Sequence, residues 1–258
     1  MAMIEAHEIW KGYGDIEVLK GLTLLVEEGE TVVILGRSGV GKSVLLRQII
    51  GIEKPDNGYV KVHGKKIWDL SVKEREKETM HMGMLFQGAA LFDSMNVEEN
   101  TGFYLNQHEH TLSKSEIRDR VAEALEMVDL ADTQKKMPSD LSGGMRKRAA
   151  LARVIVYRPR IILYDEPTTG LDPITCMQIN ELIQKTQQEL QATSIVVTHD
   201  IRSAMEVGDR LAFHHGGKIA HIAPKTEFTK IKDPILQQFF SNAAVTEEIL
   251  NGNNKRSH

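Results

Sequence analysis

The stretch "GRSGVGKS" (36–43) has the residue types and spacing needed to hold a chain of phosphates. It matches G-x-x-x-x-G-K-[ST], directly after the apolar run "TVVIL" (31–35) and at the start of a helix-period segment. Glycines there let backbone N–H groups converge on phosphate oxygens, and the helix N-terminus adds its positive end. Lys42 is then placed to reach the β- and γ-phosphates, and the Ser43 hydroxyl to ligate Mg²⁺. The expected nucleotide-binding stretch is Gly36, Arg37, Ser38, Gly39, Val40, Gly41, Lys42, Ser43 and Val44.

A phosphate loop needs a second metal contact from a neighbouring strand. "RIILYDEP" (160–167) offers one, an apolar strand ending in Asp165 and Glu166. In open α/β sheets ligands bind at that end of the strands. Asp165 is suited to hold Mg²⁺, usually through water, and Glu166 to orient or deprotonate the water that attacks the γ-phosphate. "SIVVTHD" (194–200) repeats the pattern with His199, which can hydrogen-bond the γ-phosphate or the attacking water. Gln87, closing "GMLFQ" (83–87), is a neutral amide able to contact Mg²⁺ or that water without adding charge; its local signal is weak. Tyr13 in "KGYG" (11–14) reads equally as an aromatic for stacking on adenine and as a packed tyrosine.

Elements capable of holding these groups are visible in the periodicity. "IEAHEIW" and "LTLLV" predict strands, with "KGYG" as the turn between them, and "KPDNGYVKVHGKKI" (54–67) predicts an edge hairpin. "KSVLLRQIIG" has helical spacing closed by Gly51, and "TVVIL" suits a buried parallel strand. Residues 72–80 and 96–130 favour helix, with Ile117, Val121, Leu125 and Val128 on one face. From 141 onward helices are expected over about 142–157 and 174–191 and after Asp200. They alternate with the strands "RIILY" and "SIVVT", and "RLAFHHGGKIAHIA" forms a last hairpin. Strands alternating with helices imply a largely parallel sheet covered on both faces.

Bulk properties exclude several classes. The net charge of −4 argues against a general nucleic-acid binder. Cys176 is the single cysteine, so there is no internal disulfide, and it reads as a small packed side chain. Ten histidines include no metal-site spacing and are expected mostly at the surface, His199 excepted. No signal peptide is expected, and no apolar run approaches the roughly 18 residues of a membrane span, so the sequence predicts a soluble chain.

The order "GRSGVGKS", Gln87, "LSGGM" (141–145), "YDEP", "TTGLDP" (168–173) and His199 resembles that of the ATP-binding-cassette (ABC) ATPases over about residues 4–230. The resemblance implies an α/β phosphate-loop NTPase of RecA-like type, with a mostly parallel sheet core, an N-terminal antiparallel β subdomain and an α-helical subdomain. It implies ATP and Mg²⁺ as cofactors and a head-to-tail dimer of two copies with ATP between them. Ser142, Gly143 and Gly144 then meet the γ-phosphate bound by the other copy, and Asp172 communicates across that interface. Glu166 becomes the catalytic base with His199 as its partner, Tyr13 the adenine platform, and Gln87 the sensor of a membrane-embedded partner. The segment 88–130 becomes a helical subdomain whose groove receives a coupling helix. The boundaries implied are a cassette over 1–235, helical insertion about 88–157, and a C-terminal extension over 236–258.

Within that family, "FQGAALFDSMNVEEN" (86–100) and "MPSDLSGGMRKRAALARVIV" (137–156) resemble the ATPase subunits of bacterial Mce-type lipid transporters, the phospholipid-trafficking Mla system among them. Met145 stands where the wider family usually has glutamine, "DPIT" (172–175) is also similar, and "TTGLDP" keeps the common cassette form. This finer resemblance implies an MlaE-like integral permease, an MCE-domain protein of the MlaD kind and a small STAS-domain protein of the MlaB kind. It also implies a peripheral place on the cytoplasmic face of the bacterial inner membrane. An importer ATPase for a small polar solute such as an amino acid shares every catalytic residue and stays open. A non-transport cassette acting in translation or DNA repair usually carries two cassettes or a long coiled-coil insertion. A nucleotide kinase or GTPase has no use for "LSGG". The segment after 232 is short for the regulatory domain of sugar importers; its Leu236, Phe239 and Phe240 are expected to pack on the parent domain, and "NGNNKRSH" to be disordered.

Overall fold

A computed structural model describes residues 2–242. Alternating apolar residues build the first two strands, β1 (Ala2–Tyr13) and β2 (Ile16–Glu27), which pair antiparallel with Ile4 opposite Val26 and Tyr13 opposite Ile16. The "KGYG" segment is therefore mostly strand, and the turn falls at Gly14 and Asp15 instead. Cross-strand pairing of Lys11 and Gly12 continues the ladder, outweighing the local turn signal. The fully buried β3 (Thr31–Leu35) leads through the phosphate loop into α1 (Lys42–Ile49). The expected hairpin is β4 (Asn57–Val62) with β5 (Lys65–Lys66), and α2 (Val72–Thr79) follows.

The chain continues through β6 (Met82–Leu85), α3 (Val97–His108), α4 (Lys114–Met127), a 3-10 turn at Pro138–Asp140 and α5 (Gly143–Ile155). Next come β7 (Ile161–Asp165), α6 (Pro173–Leu190), β8 (Thr193–Thr198) and α7 (Ile201–Val207). The last elements are β9 (Arg210–His215), β10 (Lys218–Pro224), α8 (Lys225–Phe228) and α9 (Pro234–Asn242). Helix starts follow capping chemistry: Asn96 and Ser113 form capping boxes for α3 and α4, and Asp172 and Asp200 cap α6 and α7.

Among the described residues two compact units result, one of residues 2–78 with 195–242 and one of residues 79–194. The first holds an antiparallel sheet in the order β2-β1-β4-β5 and a second set of strands ordered β10-β9-β3-β8. There β3 runs parallel to β9, Val32 beside Arg210 and Leu35 beside Phe213, while β10 returns antiparallel. Its core includes Ile4, Ile9, Leu22, Val33, Ile34, Leu45 and Leu211. From α9, Leu236 and Phe240 are buried. Phe240 meets Phe228 at 6.1 Å and Phe239 meets Phe213 at 5.3 Å between ring centroids, so this helix packs on its parent unit. The expected disorder of "NGNNKRSH" lies outside the described residues.

In the second unit β6 and β7 pair in parallel, Met82 beside Ile161 and Leu85 beside Tyr164. Helix α5 packs against α3, α4, α6 and β6. The predicted apolar face of α4 is buried at Ile117, Val121 and Leu125. Among the described residues no helix is long and apolar enough to cross a membrane, and no group of three or more His, Cys, Asp or Glu gathers at metal-binding distance.

Candidate active site

In the first unit the phosphate loop is shaped by close approach. Gly41 adopts φ 102°, and a Cβ there would stand 2.4 Å from Val18 Cγ1. Helix α1 has no side-chain cap and no acidic residue in its first turn. Its leading N–H groups thus point out of the helix with nothing on α1 itself to neutralise them, the arrangement that binds anions. Lys42 is 5% exposed, and its ammonium donates to the carbonyls of Gly36 at 2.8 Å and Arg37 at 3.0 Å, lying across the loop it is expected to serve. Arg37, Ser38 and Gly39 are exposed, Val40 and Ser43 half-buried, and Val44 is buried, so Val44 offers a ligand only its backbone.

His214 departs from the expected surface histidines: it is 1% exposed, and neither ring nitrogen has a hydrogen-bond partner among the described residues. Its backbone carbonyl lies 2.8 Å from where a Gly36 Cβ would be. Burial, with the charges of Lys42 and His215, pushes its pKa down to about 4.

Tyr13 ends β1, 44% exposed and paired with Ile16 of β2, so it stands on strand and not on the turn. Its phenol donates to Glu53 Oε1 at 2.5 Å and accepts from Arg47 Nη2 at 3.4 Å, while Arg47 Nε holds Glu53 at 3.1 Å. Partial burial and the bond to Glu53 raise the phenol's pKa, so it stays protonated as donor. A ring pinned at its hydroxyl and exposed elsewhere suits stacking on a base. His199 follows β8 and is exposed, one residue before the Asp200 cap.

The second unit holds the other candidates. Gln87 lies exposed two residues past β6. Asp165 ends β7 and Glu166 follows; each is only 7% exposed. Glu166 takes the left-handed φ of 48°, uncommon outside glycine and a form of strain found at functional sites. Its carboxylate accepts a hydrogen bond from the Thr169 hydroxyl at 3.0 Å. Ser142 caps α5, its Oγ accepting from the Met145 N–H at 3.3 Å, so Met145 takes part through its backbone whatever its side chain. Gly144 faces Thr175, whose Cγ2 would be 2.5 Å from an added Cβ, and Gly143 faces Leu171. Thr175 donates its hydroxyl to Asp172 Oδ2 at 2.5 Å, and Asp172 Oδ1 caps α6 by accepting the N–H groups of Ile174 and Thr175, each at 3.1 Å. These bonds, the Thr175 hydroxyl first, lower the Asp172 pKa. The glycines of "LSGG" and the aspartate of "GLDP" are thereby brought together within one unit.

Lys147 and Thr169 were not among the sequence candidates. The ammonium of Lys147, 5% exposed, donates to the backbone carbonyls of Gln87 and of Glu166, the latter at 3.3 Å. A signal existed for it: Lys147, Ala150, Leu151 and Val154 fall on one helical stripe, and all four are buried. Nothing local marked Thr169.

The donors offered for Mg²⁺ are the Ser43 hydroxyl, the Gln87 amide and the Asp165 carboxylate. All are hard oxygen ligands of the kind Mg²⁺ takes, Ser43 standing in the first unit and Gln87 and Asp165 in the second.

A fold with an antiparallel sheet and a parallel set of strands, a glycine loop opening an uncapped helix, and a carboxylate pair at the end of β7 define a phosphate-loop NTPase. Comparison with known proteins refines this: residues 19–169 match the ABC transporter family, and the chain belongs to it. It is 40% identical over 243 residues to the probable ribonucleotide transport ATP-binding protein mkl of Mycobacterium tuberculosis, covering 94% of this chain and 67% of that one. It is 38% identical over 253 residues to the chloroplastic protein TRIGALACTOSYLDIACYLGLYCEROL 3 of Arabidopsis thaliana, covering 92% and 73%. The methionine import ATP-binding protein MetN of Clostridium tetani is 40% identical over 218 residues, covering 84% and 68%. The dimeric post-hydrolysis ATP-binding cassette MJ0796, bound to ADP and Pi, superposes with a TM-score of 0.79 at 34% identity, covering 86% of this chain and 98% of that one. The chain is an ABC transporter ATP-binding subunit that hydrolyses ATP, and cassettes of this family work as dimers with membrane permeases.

Proposed function

We propose that this chain powers a bacterial ABC transporter that moves phospholipids between membranes, of the Mce and Mla type exemplified by the ATPase MlaF. The observation that carries the reading is the signature "LSGGM" with the loop "FQGAALFDSMNVEEN", which resembles that branch. The extended similarity to an Arabidopsis protein named for a glycolipid supports it. In this reading the cassette spans 1–235 with its helical insertion at about 88–157 and an extension over 236–258. It sits on the cytoplasmic face of the inner membrane with an MlaE-like permease, and with MlaB-like and MlaD-like proteins.

Residue roles follow the same reading. Tyr13 stacks on adenine, and residues 36–44 wrap the phosphates with Lys42 at the β- and γ-groups. Ser43, Gln87 and Asp165 would hold Mg²⁺, which would supply charge neutralisation to the phosphates. Glu166 takes the proton of the attacking water and His199 steadies the γ-phosphate. Ser142, Gly143, Gly144 and Asp172 act on the nucleotide of the second copy. Purification of the tagged chain from its host in mild detergent, followed by mass spectrometry, tests the substrate: a permease with bound phospholipid is expected. A permease with a polar-solute receptor and no lipid overturns the lipid reading in favour of an importer, a reading that the similarity of this chain to a methionine import ATP-binding protein supports.

A further inference from the structure

The loop after Gln87 has a backbone that resists its own conformation. Ala89 and Ala90 are consecutive non-glycine residues with φ of 63° and 53°, a region in which a Cβ crowds the backbone. Such a pair persists only when its surroundings over-determine it, and here one helix does so. Arg153 of α5 donates to the carbonyl of Ala90 at 2.6 Å and to that of Ala89 at 3.5 Å, with its guanidinium 5.5 Å from the Phe92 ring centroid. Phe92 in turn packs on Phe103 at 4.7 Å. At the other end of the loop the Lys147 ammonium donates to the Gln87 carbonyl and to the Glu166 carbonyl. Both cations stand on α5, the helix that Ser142 caps and Gly143 and Gly144 open.

Lys147 is buried, which disfavours its charge, while the neighbouring carboxylates of Asp165 and Glu166 favour it. A hydrophobic residue would meet the packing need of that stripe without the desolvation cost. What an ammonium adds is donors for two carbonyls from two different segments.

We propose that Lys147 is a positioning residue, assisted by Arg153, that fixes Gln87 and Glu166 to the signature helix as one body. Glu166 and Gln87 then keep a constant separation during hydrolysis, and a displacement of the 87–92 loop is carried directly to Ser142–Gly144. The inference rests on membership of the ATPase family and is independent of which substrate is transported.

Steady-state ATP hydrolysis and hydrogen exchange of the full chain test it. Lys147→Met keeps the aliphatic stem and removes the donors. The expected result is a kcat lower by about ten- to a hundredfold, as for a misplaced reacting group, with KM for ATP within about twofold and faster amide exchange confined to residues 87–91 and 166–169. Lys147→Gln, which restores neutral donors, is expected to recover part of the lost kcat. A Lys147→Met enzyme with wild-type kcat overturns the proposal, as does raised KM at unchanged kcat. Where Lys147→Met does not fold, Arg153→Lys provides the reading: it loses the fork on Ala89 and Ala90, and unchanged exchange over 87–91 with unchanged kcat overturns the clamp.

Discussion

The Thr169 hydroxyl donates to Glu166 Oε2 at 3.0 Å, tying the proposed base to the loop that leads into "GLDP". Glu166 follows the buried strand β7 in left-handed backbone, and Thr169 holds one of its carboxylate oxygens. Glu166→Gln keeps the shape and removes the basic oxygen. Phosphate release is expected to fall by on the order of 10²- to 10⁴-fold, while binding of a fluorescent ATP analogue is retained and a nucleotide-bound dimer accumulates in size-exclusion chromatography. Thr169→Val, which removes only the tether, is expected to cost about two- to tenfold in kcat. Wild-type turnover in Glu166→Gln rejects its role as base.

Gly144 and Thr175 are in contact by necessity. A Cβ at position 144 overlaps Thr175 Cγ2 at 2.5 Å, so Gly144→Ala must either turn the Thr175 side chain away from its bond to Asp172 or shift the signature turn. Overpacking of this kind costs about 1–3 kcal/mol, and the expected result is a lower melting temperature together with reduced ATP turnover. Thr175→Ser deletes the offending methyl and keeps the hydroxyl bonded to Asp172. Partial recovery of turnover in the Gly144→Ala, Thr175→Ser double variant is the check; no recovery places the defect elsewhere.

Tyr13 offers a separable test of the adenine platform. Stacking of a base on an aromatic ring is worth about 1–3 kcal/mol, so Tyr13→Ala should raise KM for ATP by about five- to a hundredfold with a smaller change in kcat. Tyr13→Phe keeps the ring and loses the bond to Glu53, and is expected to remain within about threefold of wild type. Equal kinetics for the alanine variant and wild type reject the platform.

His214 makes stability depend on acid in a defined window. Its folded pKa of about 4 lies below the ordinary 6.5, so between those values the unfolded chain binds a proton that the folded chain does not. Stability attributable to the neutral ring is fully present above pH 6.5 and is lost as pH falls toward 4. The full loss is on the order of 2–4 kcal/mol. His214→Leu removes the titration, and its denaturant midpoint is expected to fall less steeply over that range than that of the wild type. Parallel pH profiles for the two proteins reject the assignment.

The linear motifs exposed most of the candidate residues because phosphate chemistry imposes local demands. A loop of N–H groups, a lysine at its end and carboxylates at a strand terminus are each written within a few consecutive residues. The period of α4 and the burial of "TVVIL" were legible for the same reason, since each element satisfies its own hydrogen bonds and shows its apolar face in its own spacing. "KGYG" misled because a turn composition was overruled by cross-strand pairing with β2. Val44 is buried, so the nucleotide role expected of it falls to its backbone, which the linear motif does not distinguish from a side-chain role.

By itself, then, the sequence determined the kind of chemistry and the order of the elements that carry it. Only the tertiary structure decided how those pieces are held. It set the tether of Thr169 on Glu166, the fit of Gly144 against Thr175, the two-carbonyl clamp of Lys147 and the burial of His214 beside the phosphate loop. Each depends on residues brought together by packing of separate elements, and neither the type nor the spacing of a residue states which neighbour it will meet there.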